Sequence, residues 1–236
     1  MYSPTYGELK NNLQMELDLQ NENFITDDEY LSYFNEGVDL VESTIHTIYE
    51  DYFLTSDSIT LVSGTDLYNM PADIYAQKIR GLFYNDNAAN IYEIKRIKQL
   101  KDTLTFDPST TGTNIYMYLT TNGSAGIKIK FFPVPRENST FITRWYLRNA
   151  KRFTADNDVC DIPEFSMVIT QYAKWKCMMK EGHPDANAAG QILQGMKQEM
   201  VETLTAKIPD EDNKIPLDTS FYNDFDTGGW GDIYGS

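Results

Sequence analysis

The apolar positions change period along the chain, and each change predicts a change of element. Leu9, Leu13 and Leu17 recur every fourth residue, which predicts one face of a short helix over residues 5–19, followed by a loop at 21–24. Thr26, Asp27, Asp28 and Glu29 then form an S/T-x-x-E capping box, in which the hydroxyl accepts from the Glu29 amide while the carboxylate reaches back. A helix is expected to start there. Tyr30, Phe34, Val38, Val41, Ile45, Ile48 and Tyr52 continue it at spacings of three and four. This predicts about six to seven turns, with one face to bury and Glu36, Asp39 and Glu42 on the solvent side.

From Asp57 the period falls to two, predicting strands over 58–62, 67–70, 77–84 and 91–97, with turns at 63–66 and 85–87. A further pair, 115–120 and 126–132, flanks residues 121–124, where Asn122-Gly123 is a hairpin signal, and 140–147 closes the set. Short connections between neighbouring runs favour an antiparallel sheet or small sandwich over a parallel one. After Pro163 the helical period returns through Phe165, Val168, Ile169, Tyr172, Ala173, Lys176 and Met179. Gly182-His183-Pro184-Asp185 interrupts it, and a second helix is expected over 185–207 with Ala189, Ile192, Met196, Met200 and Leu204 on one face.

The expected fold class is therefore α+β: a helical bundle built from both chain ends (1–56 and 161–207), an inserted antiparallel β-sheet or sandwich (57–160), and an extended C-terminal tail (208–236). The tail has seven acidic residues, one lysine and no period, and cannot fold by itself. Phe221, Tyr222, Phe225, Trp230 and Tyr234 are scattered through it and are the candidate contact residues of the chain.

Composition narrows the function. With 41% hydrophobic and 23% charged residues the 236-residue chain reads as an ordinary globular protein, while 16 tyrosines and 12 phenylalanines suit interfaces as well as cores. The start of the chain has no basic region followed by an apolar run, and no stretch approaches the length of a membrane span, so export and a membrane partner are not expected. Cys160 and Cys177 are expected to be free, buried thiols. A net charge of −15 argues against capture of nucleic acid, although an acidic channel wall lets DNA slide without sticking.

Candidate chemistry is sparse. His46 and His183 are the only histidines, and no nucleophile elbow, phosphate loop or dinucleotide fingerprint is present. The run Asp156-Asn157-Asp158-Val159-Cys160-Asp161 is dense in hard oxygen ligands but lacks the glycine and terminal glutamate of a calcium loop, so a polar loop is the favoured reading. Pairs such as Asp27 and Asp28, or Glu211 and Asp212, arise by chance among 35 acidic residues. No catalytic residue, metal ligand or cofactor is assigned. Met15, Met70, Met167, Met178, Met179, Met196 and Met200 fit a core better than an adaptable binding surface. Lys95, Arg96, Lys98 and Lys101, and again Arg144, Arg148, Lys151 and Arg152, read as solvated faces pairing with acids rather than as contacts to an acidic neighbour.

Four blocks taken in order resemble the head-to-tail adaptors of tailed bacteriophages, of the tail tubular protein A type. They are the capped helix with Asn35 early in it and the sequence YLSYFNEGVDLVEST; Leu67-Tyr68-Asn69-Met70-Pro71-Ala72-Asp73, similar to a Tyr-x-Leu-Pro-x-Asp strand exit with methionine for leucine; Ile127 to Pro135, a strand ending in Pro-x-Pro; and Asp161-Ile162-Pro163-Glu164 opening a helix that continues Gln171-Tyr172-Ala173-Lys174-Trp175. The resemblance spans about 5–207 and implies helices plus an antiparallel β part, with no catalytic residues. It further implies a virion protein assembled in the host cytoplasm as a ring of twelve copies, docked to the portal and to tail or nozzle proteins, with double-stranded DNA passing through the lumen. Phe221, Tyr222, Phe225, Trp230 and Tyr234 are then candidate inter-subunit or portal contacts. The alternative function is a host carbohydrate- or protein-binding module of the virion.

Overall fold

The computed structural model describes residues 2–18, 24–85, 91–97, 117–123, 126–135 and 141–207. Two helices open the chain, α1 (Tyr6–Glu16) and α2 (Asp27–Ile48), and both start at a threonine capping box. At Thr26 the backbone amide donates to Glu29 Oε2 at 2.8 Å while Glu29 N donates to Thr26 Oγ1 at 3.3 Å, and Thr5 and Glu8 repeat the arrangement at the same two distances. The sequence Thr5-Tyr6-Gly7-Glu8 has the same S/T-x-x-E signature as the box at Thr26. The long helix ends at Ile48 rather than running on to Tyr52, because a tight 3-10 turn at Glu50–Phe53 redirects the chain into the sheets and buries Phe53.

Among the described residues eight strands follow: β1 (Leu54–Thr60), β2 (Leu67–Asn69), β3 (Ile74–Asn85), β4 (Ile91–Glu93), β5 (Lys95–Arg96), β6 (Met117–Gly123), β7 (Gly126–Phe132) and β8 (Phe141–Arg148). They make two four-stranded sheets, in the orders β1-β8-β3-β4 and β2-β7-β6-β5. Every pairing is antiparallel except the two-residue contact of β5 with β6. The run expected as one strand over 91–97 is split at Ile94, whose side chain is buried between β4 and β5. Ile59, Leu82, Tyr84 and Ile142 from one sheet share a core with Tyr118, Ile129 and Phe131 from the other, so the two sheets face each other. Of the expected 85–87 turn only Asn85, the last residue of β3, is described. Strand β6 runs on to Gly123, through most of the expected 121–124 turn, because Thr121 and Asn122 pair with Lys128 and Ile127. Residues 115, 116, 124 and 140 lie outside the described residues.

Helices α3 (Ser166–Glu181) and α4 (Ala186–Lys207) end the described chain, separated where Gly182 takes φ 67°, a left-handed cap that L side chains resist. Two expectations about their faces change. Ile192 is 57% exposed and its neighbour Leu193 is buried instead, because the stripe runs through Ala186, Ala189, Leu193, Met200 and Leu204. Met179 is likewise exposed, and Cys177 and Met178 take the buried positions on α3.

The second core joins both ends of the chain. Tyr6, Leu9 and Leu13 of α1 meet Tyr30, Phe34, Val38, Val41 and Ile45 of α2, Val168, Ile169, Ala173 and Cys177 of α3, and Leu193, Met200 and Leu204 of α4. Gly37 permits the close approach of α2 and α3, since a Cβ there would lie 3.0 Å from the Ile169 carbonyl oxygen. Ala150, Phe153, Cys160 and Ile162, which belong to no regular element, fill the remaining side of this core. Val41 lies at its centre. The Val41→Asp variant places an unpaired charge there and is expected to lose about 3–5 kcal/mol of unfolding free energy in a denaturant titration; an unshifted midpoint would show that this stripe does not carry the core.

Candidate interaction sites and the helix to sheet junction

The polar side of α2 is only partly a solvent face: Asp39 is exposed as expected, whereas Asn35, Glu36 and Glu42 meet other parts of the chain. Asn35 makes a two-way amide contact with the backbone of Phe153, Nδ2 donating to its carbonyl at 3.0 Å and Oδ1 accepting from its amide at 2.8 Å. Two turns on, Glu42 is only 5% exposed, which corrects its expected place beside water. Its Oε1 accepts from the Ala150 amide at 2.6 Å and its Oε2 from Arg152 Nη2 at 2.6 Å. Arg152 also pairs with Asp39. Glu36 turns to α3, accepting from the Tyr172 hydroxyl at 3.0 Å and pairing with Lys176 at 2.9 Å. The irregular residues after β8 are therefore held by α2 through a row of polar contacts beside its apolar stripe.

Where the helices meet the sheets, His46 is buried against Phe53 and stacks flat on Tyr75, ring centroids 3.5 Å apart. Tyr75 reaches it from a break in β3, where the register with β8 shifts between Ile74 and Ile79 and Ala76 and Gln77 take left-handed φ of 44° and 59°. Neither ring nitrogen of His46 has a hydrogen-bond partner among the described residues, and Glu42 Oε1 lies 3.8 Å from Nε2. Burial pushes the imidazole below its ordinary value, against the opposing pull of Glu42. At the rim of this junction Glu50 receives Lys78 and Arg80, an exposed group that orients rather than stabilises.

The second basic group seen in the sequence does pair with acids, but Arg144 is not solvated. It is 4% exposed at the centre of β8, where Nε donates to Asp57 Oδ1 at 2.8 Å and Nη1 donates to the Asn69 carbonyl of the facing sheet at 2.9 Å. One guanidinium thus ties β1, β8 and β2 together. Arg148 donates to both oxygens of Asp161 at 2.6 and 3.1 Å. Burial raises the Asp161 carboxyl, but Arg148 and the Lys151 amide outweigh it and hold the group below the usual carboxylate range. Tyr68 closes the turn after β1, its hydroxyl accepting from the Val62 amide at 2.9 Å and donating to the Thr65 carbonyl at 3.1 Å.

The remaining candidates fall into place from their contacts. In the acidic run, Asp156 pairs with Lys10 at 3.1 Å, Asp158 Oδ2 accepts from the Thr154 and Ala155 amides, and Asp161 is held by Arg148, so these carboxylates order the loop that α1 docks on. Pro4 and Thr5 pair with Cys160 and Val159 on the same loop. Cys160 and Cys177 are free and buried, and burial pushes the Cys177 thiol up to about 12, which leaves it unreactive. The methionines divide: Met178 and Met200 are core, whereas Met15, Met167 and Met179 are exposed. Met167, Met196 and Met200 line a groove of about 180 Å³ with Phe165 and Val168 between α3 and α4. Beside it Glu164 receives Lys207 and the Tyr52 hydroxyl; burial raises its carboxyl, and these two partners outweigh that and hold it below its ordinary value. Phe221, Tyr222, Phe225, Trp230 and Tyr234, with Lys98 and Lys101, lie outside the described residues. Among the described residues no group of three or more metal-ligating side chains comes together, and no helix is long and apolar enough to cross a membrane.

Compared with known protein families, the chain matches the model described as SU10 adaptor protein over residues 4–214. A search of curated proteins returned no match. The match takes in every described helix and strand and stops before the five aromatic residues of the tail.

Two measurements test the junction. Glu42→Ala leaves the buried Ala150 amide without an acceptor and is expected to cost about 1–3 kcal/mol of stability. His46 has a depressed folded pKa, so below about pH 6.5 the unfolded chain binds a proton that the folded one does not. Stability is therefore flat through His46 above that pH and falls as pH drops below it. The groups facing His46 are Glu42, Glu50 and Lys78, with the rings of Tyr75 and Phe53, and they are unchanged in His46→Gln. The difference in unfolding free energy between parent and variant is expected to move in favour of the variant from pH 7.5 to about pH 5.5; parallel pH profiles would mean that the imidazole is not desolvated.

Proposed function

The chain belongs to the SU10 adaptor protein family, and on that premise we propose that it is a head-to-tail adaptor, joined with copies of itself in a ring between the portal and the tail of a phage. Family membership makes it a structural adaptor protein of a phage virion. In the finer reading, twelve copies assemble in the host cytoplasm, bind portal on one side and tail or nozzle proteins on the other, and surround the path of double-stranded DNA. The helices of both chain ends act as one four-helix bundle in the subunit, with the sheets as an insertion and residues 208–236 as an extended arm. The observation that carries this reading is the family match across 4–214, which spans every described element of the fold.

The chemistry of the described residues supports a structural role. The buried carboxylate of Glu42 and guanidinium of Arg144 are held by backbone and side-chain partners of the same subunit, and His46 is packed between the rings of Tyr75 and Phe53. A net charge of −15 supports a lumen that guides DNA without gripping it, since acidic side chains facing the phosphates repel them. The arm supplies adhesion. Its acidity keeps it soluble, and Phe221, Tyr222, Phe225, Trp230 and Tyr234 are anchors of the kind that dominate interface energetics once seated on a neighbouring subunit or on portal.

Ordering such an arm costs chain entropy, so two or three of these aromatics have to fill pockets for net binding. Deletion after Lys207 is expected to weaken assembly with portal, and truncation of a seated aromatic to alanine to cost roughly 2 kcal/mol or more; undiminished assembly of the deleted chain removes the arm from the reading. Sedimentation is expected to show rings, alone or on adding portal, and duplex DNA is expected not to be retained at physiological salt. A stable monomer that binds glycans, or tight salt-sensitive binding of duplex DNA, would replace this function with another.

A further inference from the structure

The second sheet of the sandwich has a face that neither the core nor the family reading uses. Ile129 and Phe131 of β7 point into the core, so the alternate residues Lys128, Lys130 and Phe132 point away from it. Register extends this face across the sheet: Lys130 sits between Leu67 of β2 and Leu119 of β6, Lys128 between Asn69 and Thr121, and Lys95 of β5 lies in the row of Phe132. The Lys130 ammonium lies 5.2 Å from the centre of the Phe132 ring and 3.1 Å from Asp66 at the sheet edge. Among the described residues, Lys95 and Lys128 have no acidic partner. An apolar strip of Leu67, Leu119 and Phe132, flanked by three lysines, is thus left on a protein whose net charge is −15.

Resting on the reading of residues 208–236 as an arm, we propose that this outer face of the second sheet is the seat of the acidic, aromatic C-terminal arm of a neighbouring copy. The two surfaces complement each other twice over. The arm carries seven acidic residues and one lysine, against a face with three lysines and one acid, Asp66, which is paired with Lys130. Its Phe221-Tyr222-Asn223-Asp224-Phe225 block places aromatic rings next to a carboxylate, as the face places Phe132 and two leucines next to ammonium groups. Exposed ion pairs of this kind set register and partner choice, while the rings supply affinity. Length permits a neighbour as the partner. Extended, 208–236 reaches on the order of 100 Å, whereas a folded body of about 200 residues has a radius of gyration of about 17 Å. The chain also leaves the helical part at Lys207, bound to Glu164, while the second sheet shares its core with the first. Duplex DNA is the disfavoured occupant, because phosphates make no use of the apolar strip between the lysines. All five aromatics lie beyond residue 214, where the family match ends.

The test is fluorescence anisotropy of a labelled synthetic peptide covering 208–236, titrated with the full-length protein. Saturable binding is expected, weakening as salt is raised, and weakening about tenfold or more in the full-length Lys95→Glu, Lys128→Glu, Lys130→Glu variant. Circular dichroism and thermal midpoint check that this variant is folded, and the milder Lys→Gln set is expected to fall between parent and reversal. A peptide with Phe221, Tyr222 and Phe225 changed to alanine is expected to lose binding even with its charges intact. Binding that ignores the lysine changes overturns the site while leaving the arm in place. No binding to the full-length chain overturns the neighbour as partner, whether because the arm seats on portal or on its own subunit. Duplex DNA that displaces the peptide and depends on the same lysines makes the face a nucleic-acid surface and overturns the proposal. Portal assembly that is lost on deleting the arm but unchanged by lysine reversal also locates the arm elsewhere, so the failure of this site and the failure of the arm reading give different results.

Discussion

The desolvated carboxylate of Glu42 governs how the chain returns from the sheets to the helices. Removed from water, it requires charge-assisted donors, and it finds them in the Ala150 amide and Arg152, more than a hundred residues away in sequence. Once β8 ends at Arg148, those contacts bring the chain across α2, and Asn35 fixes its next step at Phe153. Phe153, Cys160 and Ile162 then drop into the core that α1 and α2 began. The turn at Pro163 accordingly starts α3 on the apolar side of α2, where Gly37 admits the Ile169 backbone. Apolar burial supplies the driving force, but it is non-directional, and the polar row selects this path among those that would bury the same surface.

What was legible in the sequence followed from local physics. Period and capping identified the helices, and alternation identified most strands, because those signals depend on neighbours within a few residues. The Ile192 and Leu193 exchange shows the margin: a stripe that is wide at both residues is decided by what the other helices present, and α4 rotates to put Leu193 inward. Polar residues were the larger failure. Glu42 and Arg144 have the same composition signal as any surface charge, and only distant partners make them interior. Nor does alternation foresee the left-handed pair Ala76 and Gln77, which breaks β3 so that Tyr75 can cover His46. The resemblance drawn from four ordered blocks succeeded where single motifs were weak, because order and spacing are constrained jointly by the fold. The candidate aromatic contacts of the tail lie in a segment whose sequence has no period to read, so composition was the only guide there.

Charge is distributed unevenly among these parts. Within the helical part, Lys10, Arg152, Lys174, Lys176 and Lys180 each meet a carboxylate of the same subunit. Such pairs bring little stability at an exposed rim, yet they remove free cations from that surface. The outer row of β7 is different, since it alternates lysine with the buried apolar residues of the core and leaves Lys128 without an acid among the described residues. At the other extreme, residues 208–236 concentrate acid in the sequence, with seven acidic residues against one lysine. A net charge alone would suggest uniform repulsion between copies, whereas this separation allows close attraction between particular faces while long-range repulsion suppresses random association.

An adaptor has to present fixed surfaces to its neighbours and still adjust as they join, and the fold separates those duties. Two cores hold the folded part, with His46, Tyr75 and Phe53 packed together where the helices meet the sheets and the Arg144 guanidinium tying one sheet to the other. Such a body has little conformational freedom left to lose on assembly, so its surfaces bind at low entropic cost. A segment without its own core is the opposite case: it loses chain entropy when seated, and its affinity depends on a few anchors and on how near its seat is held. On the reading proposed for residues 208–236, a ring would hold each arm near its seat, so that its attachment becomes effective only once the subunits are in place.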